Sequence, residues 1–317
     1  MKALFRSSVT YMLVFVFIIS SFAYAEAYDR EPYLTKSFRV DSPANVNVET
    51  SGGSISVTGG SGDQVIVKMY VSRNGTSWFS SDDVEEYIDD YDINITQQGS
   101  TVYATAEKKG SGWGSNSLNI SFQLEVPRAV SADLNTSGGS ISLTGVEGDQ
   151  KVRTSGGSLT FENVSGYTVA STSGGSININ NYQGVIEGKT SGGSIRALNA
   201  GGEIDLFTSG GSIILDDVQG TISARTSGGS IKAFVLDIGD YLTLKTSGGS
   251  VNAVIPEGLG INLDLAGNRV NTTLNNFTGE SKRNSVVGTM NGGGPQVTMR
   301  TSGGSVNLDY HRIQARN

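Results

Sequence analysis

The sequence predicts an all-β fold: a single-stranded parallel β-solenoid of about 18 residues per coil, with an N-terminal β-rich cap containing one short helix. Three observations lead there. The pentad TSGGS occurs nine times, beginning at Thr50, Thr136, Thr154, Thr172, Thr190, Thr208, Thr226, Thr246 and Thr301. From Thr136 to Thr226 every step between pentads is 18 residues, and a fixed short period is the signature of stacked repeats. Between pentads, apolar and polar residues alternate with period two, as in half-buried strands.

Residues 1–25 stand apart from this pattern. Lys2 and Arg6 precede an apolar run from Tyr11 to Ile19, and Ala23-Tyr24-Ala25 follows. That order reads as a cleaved secretory signal, and the run is too short to be comfortable as a membrane span. Losing Lys2 and Arg6 takes 23 basic residues to 21 against 30 acidic ones, a formal charge of −9. Such a balance disfavours a duplex nucleic-acid partner. Cysteine is absent, which removes disulfides and thiolate metal sites and leaves stability to packing and backbone pairing. The expected location is the bacterial periplasm or the cell exterior, with no stable membrane insertion once the signal is gone.

Residues 26–135 are read as a first coil plus a capping region. TSGGSISVTGGSGDQVIV at 50–67 nearly duplicates TSGGSISLTGVEGDQKVR at 136–153, so 50–67 is taken as the first coil and 68–135 as an insertion. In the insertion, Ser81 can cap a helix whose first turn holds Asp82, Asp83, Glu85 and Glu86, with Val84, Ile88 and Tyr91 on one side. VIVKMYVS, INITQQ, TVYATAEKK and LNISFQLEVP read as strands. A solenoid end exposes unpaired strand groups and needs such a cover.

The repeats occupy 136–310. With threonine as position 1, position 6 holds Ile141, Leu159, Ile177, Ile195, Ile213 and Ile231, and position 13 holds Gly148, Gly166, Gly184, Gly202 and Gly220. Two short strands per unit follow, with glycine corners at positions 3–4 and 13 where the chain turns into positive φ. If positions 15 and 17 face inward, so does position 1. Thr136, Thr154, Thr172, Thr190, Thr208, Thr226 and Thr246 then form a hydroxyl ladder serving the corner backbone. The 55 residues from Thr246 to Thr301 divide into coils of 20, 18 and 17, for about ten coils and roughly 45–50 Å at a strand spacing near 4.8 Å. Residues 311–317 read as a polar tail.

A signal, a capping region ending in VPRAVSADLNTSGGSI, TSGGSI coils and a closing MNGGGPQVTMRTSGGSVNLDY together resemble the bacterial "putative-adhesin" family, a β-solenoid domain of unknown function. The resemblance covers about residues 28–310. It implies an exported, repetitive all-β protein with a surface or adhesive role, and it transfers no catalytic residues.

The candidate chemistry is sparse. His311 is the only histidine, so imidazole-based catalysis has nowhere to reside. No calcium-type GGxGxD nonapeptide and no GKS/T phosphate loop occurs. Position 7 varies from unit to unit, unlike the uniform face an ice-binding array requires. Glu187, Glu203 and Asp205 fall on outward positions of adjacent coils, where a loose cation site or a polysaccharide-acting carboxylate pair would be sought; Lys189 nearby favours a solvated mixed-charge surface. Arg153, Lys189, Arg225, Lys245 and Arg300 at position 18 form a basic column suited to an acidic glycan or another envelope component. Trp78 and Trp113 can stack on sugar rings or pack in the cap. No catalytic, metal or cofactor site is assigned. The reading is an adhesin-like binding scaffold, with an end-to-end structural assembly second and an enzyme acting on polysaccharide third.

Overall fold

The computed structural model describes residues 31–73, 87–110 and 118–312. The chain from Pro32 onward forms one compact unit. The segment read as a secretory signal and both tryptophans, Trp78 and Trp113, lie outside the described residues. So does most of the predicted helix: of its end, Tyr87 and Ile88 are helical, while Tyr91 already opens a strand.

The chain enters through β1 (Leu34–Arg39), β2 (Ala44–Thr50), β3 (Ile55–Gly60) and β4 (Gln64–Arg73). It continues with β5 (Tyr91–Gln98), β6 (Thr101–Lys108), β7 (Leu118–Pro127), β8 (Val130–Thr136), β9 (Ile141–Thr144) and β10 (Glu147–Thr154). Then come the long strands β11 (Leu159–Thr172), β12 (Ile177–Thr190), β13 (Ile195–Thr208), β14 (Ile213–Thr226) and β15 (Ile231–Thr246). The end is built from β16 (Val251–Pro256), β17 (Ile261–Ala266), β18 (Arg269–Thr272), β19 (Phe277–Lys282), β20 (Ser285–Met290), β21 (Gln296–Thr301) and β22 (Ser305–His311).

The fold is a β-solenoid. Strands of successive coils pair in parallel and in register, so Thr154 lies beside Thr172, Thr172 beside Thr190, and so on to Thr226 beside Thr246. Position 6 of each coil is buried, from Ile141 through Ile231 to Val251 and Val306. Volume is balanced within coils: Tyr182 and Ile179 share their coil with Gly188, and Ala197 and Ala200 share theirs with Leu206. Cores this dense tolerate little mismatch. Tyr182 is buried, and its hydroxyl is shared between the carbonyls of Val185 at 2.7 Å and Gly166 at 3.0 Å.

Each coil turns at a place the alternation pattern does not mark. Position 10 takes left-handed backbone in Asn163, Asn181, Asn199 and Asp217, with φ of 54°, 52°, 57° and 53°. Asn and Asp enter this region more readily than other side chains. The amides also bond along the stack, Asn181 Nδ2 donating to Asn163 Oδ1 at 3.1 Å and Asn199 Nδ2 to Asn181 Oδ1 at 2.9 Å. Position 13 glycines have positive φ, 132° at Gly184 for example. The glycines at positions 3 and 4 do not, so close approach and not positive φ requires them. A Cβ on Gly175, at position 4, would collide with the carbonyl oxygen of Gly157 in the coil below.

Two parts of the predicted layout change. Thr50 pairs directly with Thr136, and β3 pairs with β9, but Val65–Val67 do not close a flat first coil. They belong to β4, which runs antiparallel to β1 and β7. At the other end Thr246 pairs directly with Thr301 and Val251 with Val306. The intervening residues therefore insert no coils of 20, 18 and 17 between these two rungs. They form an excursion in which β17 and β18 stack in parallel on β21 and β22 as one further rung, while β17 and β19 both pair antiparallel to β20. Nine TSGGS corners thus stand in one row about 40 Å long at a spacing near 4.8 Å. His311, read as tail, ends β22; its ring stacks on Phe234 with centroids 4.6 Å apart.

Candidate functional site

The repeated pentad is a fully bonded corner. Thr190 Oγ1 donates to the Gly175 carbonyl of the coil below at 2.8 Å and accepts from its own Gly193 N–H at 3.3 Å. The same pair of bonds recurs at Thr136, Thr154, Thr172, Thr208, Thr226 and Thr246, and again at Thr301. Thr50 donates instead to Ile120. Serine at position 5 extends the chain of bonds: Ser158 Oγ accepts the Ser176 N–H at 3.2 Å, and Ser212 Oγ accepts the Ser230 N–H at 3.2 Å. Backbone groups that strand pairing cannot reach are satisfied here, and burying them unsatisfied would be destabilising. The pentad builds; it presents no ligand.

Outward chemistry sits on the sheet formed by positions 14, 16 and 18, in the order β6–β2–β8–β10–β11–β12–β13–β14–β15–β21–β17. Parity places alternate residues of each strand outward, so this face carries three columns. The position-18 column runs Arg153, Ser171, Lys189, Phe207, Arg225, Lys245, Arg300 in unbroken register. Its cations are unequal. Lys189 pairs with Glu187 and Arg225 with Asp205, each at 3.9 Å, and Arg300 grips Asp264 through both carboxylate oxygens at 2.6 and 2.9 Å. Among the described residues only Arg153 and Lys245 of this column lack an ion pair.

Of the acidic trio, Glu187 and Asp205 are likewise engaged, while Glu203 is exposed. Glu187 and Asp205 are register neighbours; Glu187 accepts from the Tyr167 hydroxyl at 3.0 Å. That bond, then desolvation, then the negative charge of Glu187, Asp149 and Glu203 push the Tyr167 hydroxyl above its usual pKa. Beside Asp205, Ser223 is buried and its hydroxyl makes no hydrogen bond; Asp205 Oδ1, 3.9 Å from Arg225, likewise accepts none. No group of three or more metal-ligating side chains with suitable geometry occurs among the described residues.

Sequence reasoning passed over the aromatic side chains of this face. Tyr167, Phe207 and Tyr241 are 42%, 37% and 37% exposed and stand on β11, β13 and β15, every second rung. The signal was available: all three fall on even positions of the second strand segment, the parity that puts Arg153 outward. Two shallow grooves also open where β6, β2, β8 and β10 meet.

With this geometry in hand, the last part of the chain can be placed. Residues 201–309 match the Toastrack DUF4097 family. The Toastrack segment runs from the middle of β13 almost to the end of β22 and includes the C-terminal excursion. It stands with the "putative-adhesin" resemblance seen in the TSGGSI coils. Among solved structures, a "putative cell adhesion protein" from Clostridium sporogenes ATCC 15579 is 11% identical, covering 89% of this chain and 100% of its own, with a TM-score of 0.22. A "putative adhesin" from Bacteroides fragilis NCTC 9343 is 11% identical, covering 88% and 96%, with a TM-score of 0.38. A "putative lipid binding protein" from Parabacteroides distasonis ATCC 8503 is 12% identical, covering 88% and 97%, with a TM-score of 0.37. At such scores these likenesses do not bear on what this chain binds. No curated protein matches the chain.

Proposed function

We propose that the protein is an exported, non-enzymatic, adhesin-like scaffold that binds a glycan through the three-column face. The carrying observation is the exposed aromatic series Tyr167, Phe207 and Tyr241 at every second rung, set among hydrogen-bonding side chains on a rigid sheet. Two rungs span about 10 Å, and Phe207 stands four residues, about 13 Å, along the strand from the register of Tyr167 and Tyr241; weak stacking contacts spread over the face in this way add by multivalency.

An acidic glycan tracked by the basic column alone is a weaker form of this reading. Arg153 and Lys245, the two cations without ion pairs, stand five rungs apart, about 24 Å, well beyond the screening length of roughly 8 Å at physiological salt. Of the carboxylates that a polysaccharide-acting enzyme would use, Glu187, Glu203 and Asp205, the first and last are tied to Tyr167, Lys189 and Arg225. End-to-end assembly meets charged outer strands: β1 carries Lys36 and Arg39, and β19 carries Glu280 and Lys282. Charged edges oppose strand-to-strand docking.

The test is binding of the mature protein to a panel of immobilised envelope and host glycans. Phe207→Ala combined with Tyr241→Ala is expected to weaken binding at least tenfold. Reversing charge at Lys189, Arg225 and Lys245 together is expected to change it far less. Product release from any glycan, or full binding by the aromatic double variant, would overturn the reading.

A further inference from the structure

At the N-terminal end of the same face the rungs β6, β2, β8 and β10 lie side by side, and the surface dips. One groove of about 320 Å³ is lined by Asn45, Asn47, Thr101, Tyr103, Ser131 and Asp133, among others. A second of about 160 Å³ continues it along the strand direction, sharing Asn47 and Asp133 and reaching Arg153. The larger one alone falls within the roughly 300–1,000 Å³ of small-ligand clefts. The dip has a simple cause: β2 and β8 present Asn47, Ser131 and Asp133 between Tyr103 on one flank and Lys151 and Arg153 on the other.

What sets this place apart is the state of its polar groups. Glu49 accepts from Asn135 at 3.1 Å, and Asp133 accepts from Lys151 at 2.8 Å, so the charged groups are largely held. The Asn47 amide and the hydroxyls of Thr101, Tyr103 and Ser131 make no side-chain hydrogen bond among the described residues. A half-buried amide offers two donors and an acceptor, and with a ring at its edge it matches sugar hydroxyls and an apolar sugar face. The charges do not call for an anion, because Glu49, Asp133 and Asp149 outnumber Lys151 and Arg153 along the two grooves.

We infer that this groove is a subsite for an uncharged polysaccharide segment lying parallel to the strands, stacked on Tyr103 and hydrogen-bonded by Asn47, Ser131 and Arg153. The inference rests on the glycan-binding reading above and adds to it a contact at the N-terminal end of the face. Affinity electrophoresis of the mature protein tests it, with gels containing neutral polysaccharides (xylan, mannan or β-glucan) or acidic ones (alginate or hyaluronan). The wild type is expected to be retarded by at least one neutral gel. Tyr103→Ala and Asn47→Ala should each weaken that retardation about tenfold, the effect of losing one stacking or hydrogen-bonding contact. Ser131→Trp, which fills the groove from an outward position, should abolish it while thermal unfolding stays cooperative. Full retardation of all three variants, with loss only in the Phe207→Ala, Tyr241→Ala protein, would overturn the groove and leave the broader reading standing. Retardation by acidic gels alone would overturn the uncharged ligand. No retardation in any gel would overturn both.

Discussion

Between Thr136 and Thr246 the chain climbs one rung every 18 to 20 residues, whereas 86 residues separate Thr50 from Thr136 and 55 separate Thr246 from Thr301. Despite that difference, each of these threonines sits beside its neighbour in the stack in the same register. Corner matching, not chain length, therefore decides which rungs are adjacent. The two long excursions also leave the coil at the same point. β3 ends at Gly60 and β16 at Pro256, both at repeat position 11, and the chain rejoins at Val130 and Gln296, near positions 13 and 14. The two extra residues of the coil in β15 are absorbed in the same stretch, where the register against β14 shifts between Leu215 and Ile222. One corner of the coil is closed to insertion and the other open. At the TSGGS corner, backbone lies against backbone and hydroxyl bonds tie each rung to the one below. At the position 10–13 corner, left-handed Asn and Gly turn the chain at the surface, where longer loops add little closure entropy.

The sharpest way to break this contrast is to move an insertion from one corner to the other. Two residues placed between Gly174 and Gly175 are expected to abolish cooperative folding, while the same two placed after Gln183 should lower the stability only modestly, by about 1–2 kcal/mol. Circular dichroism with denaturant titration reads both; equal damage would show that the corners do not differ. A finer version compares the two glycines of one corner. Gly175→Ala drives a methyl into the Gly157 carbonyl, whereas a Cβ on Gly174 would meet its nearest neighbour, the Gly156 carbonyl oxygen, at 3.5 Å. The first is expected to destabilise by about 3 kcal/mol or more and the second by less than about 1. The smallest effect compares a tyrosine within the repeats with one at the C-terminal end. Burial pushes the Tyr182 hydroxyl up to about 12, and burial raises that of Tyr310 as well. Deprotonation is then easier in the unfolded chain, so stability is full below pH 10 and falls as pH rises toward 12. Tyr182→Phe should flatten this alkaline loss, measured as midpoint against pH, more than Tyr310→Phe does; the reverse order would place the vulnerable core at the end of the stack.

Some features of this fold were plain in the sequence because they repeat. The inward parity of Ile177 and Ile179, and the use of threonine beside glycine, follow from alternation and from the need to satisfy a tight corner. Asn163, Asn181, Asn199 and Asp217 were equally legible at position 10, but period-two alternation does not mark a left-handed turn between strands. The excursions were not legible as such: VNTTL, which pairs in parallel with β22, and SVVGTMN, which pairs antiparallel with β17 and β19, have strand composition in either case. For the candidate site, parity put Arg153, Lys189 and Arg225 on one outer face. It also set Lys189 beside Glu187 on one strand, but it could not tell that Arg225 meets Asp205, which lies on the neighbouring rung.

By itself the sequence determined the coil: its length, its buried positions and its bonded corner, since a local rule repeated many times stacks only one way. The tertiary structure alone decided how the stack ends and where its surface opens. Those features depend on which distant strands become neighbours, on the charges that meet across rungs, and on the small side chains of β2 and β8 that come to lie between Tyr103 and Arg153.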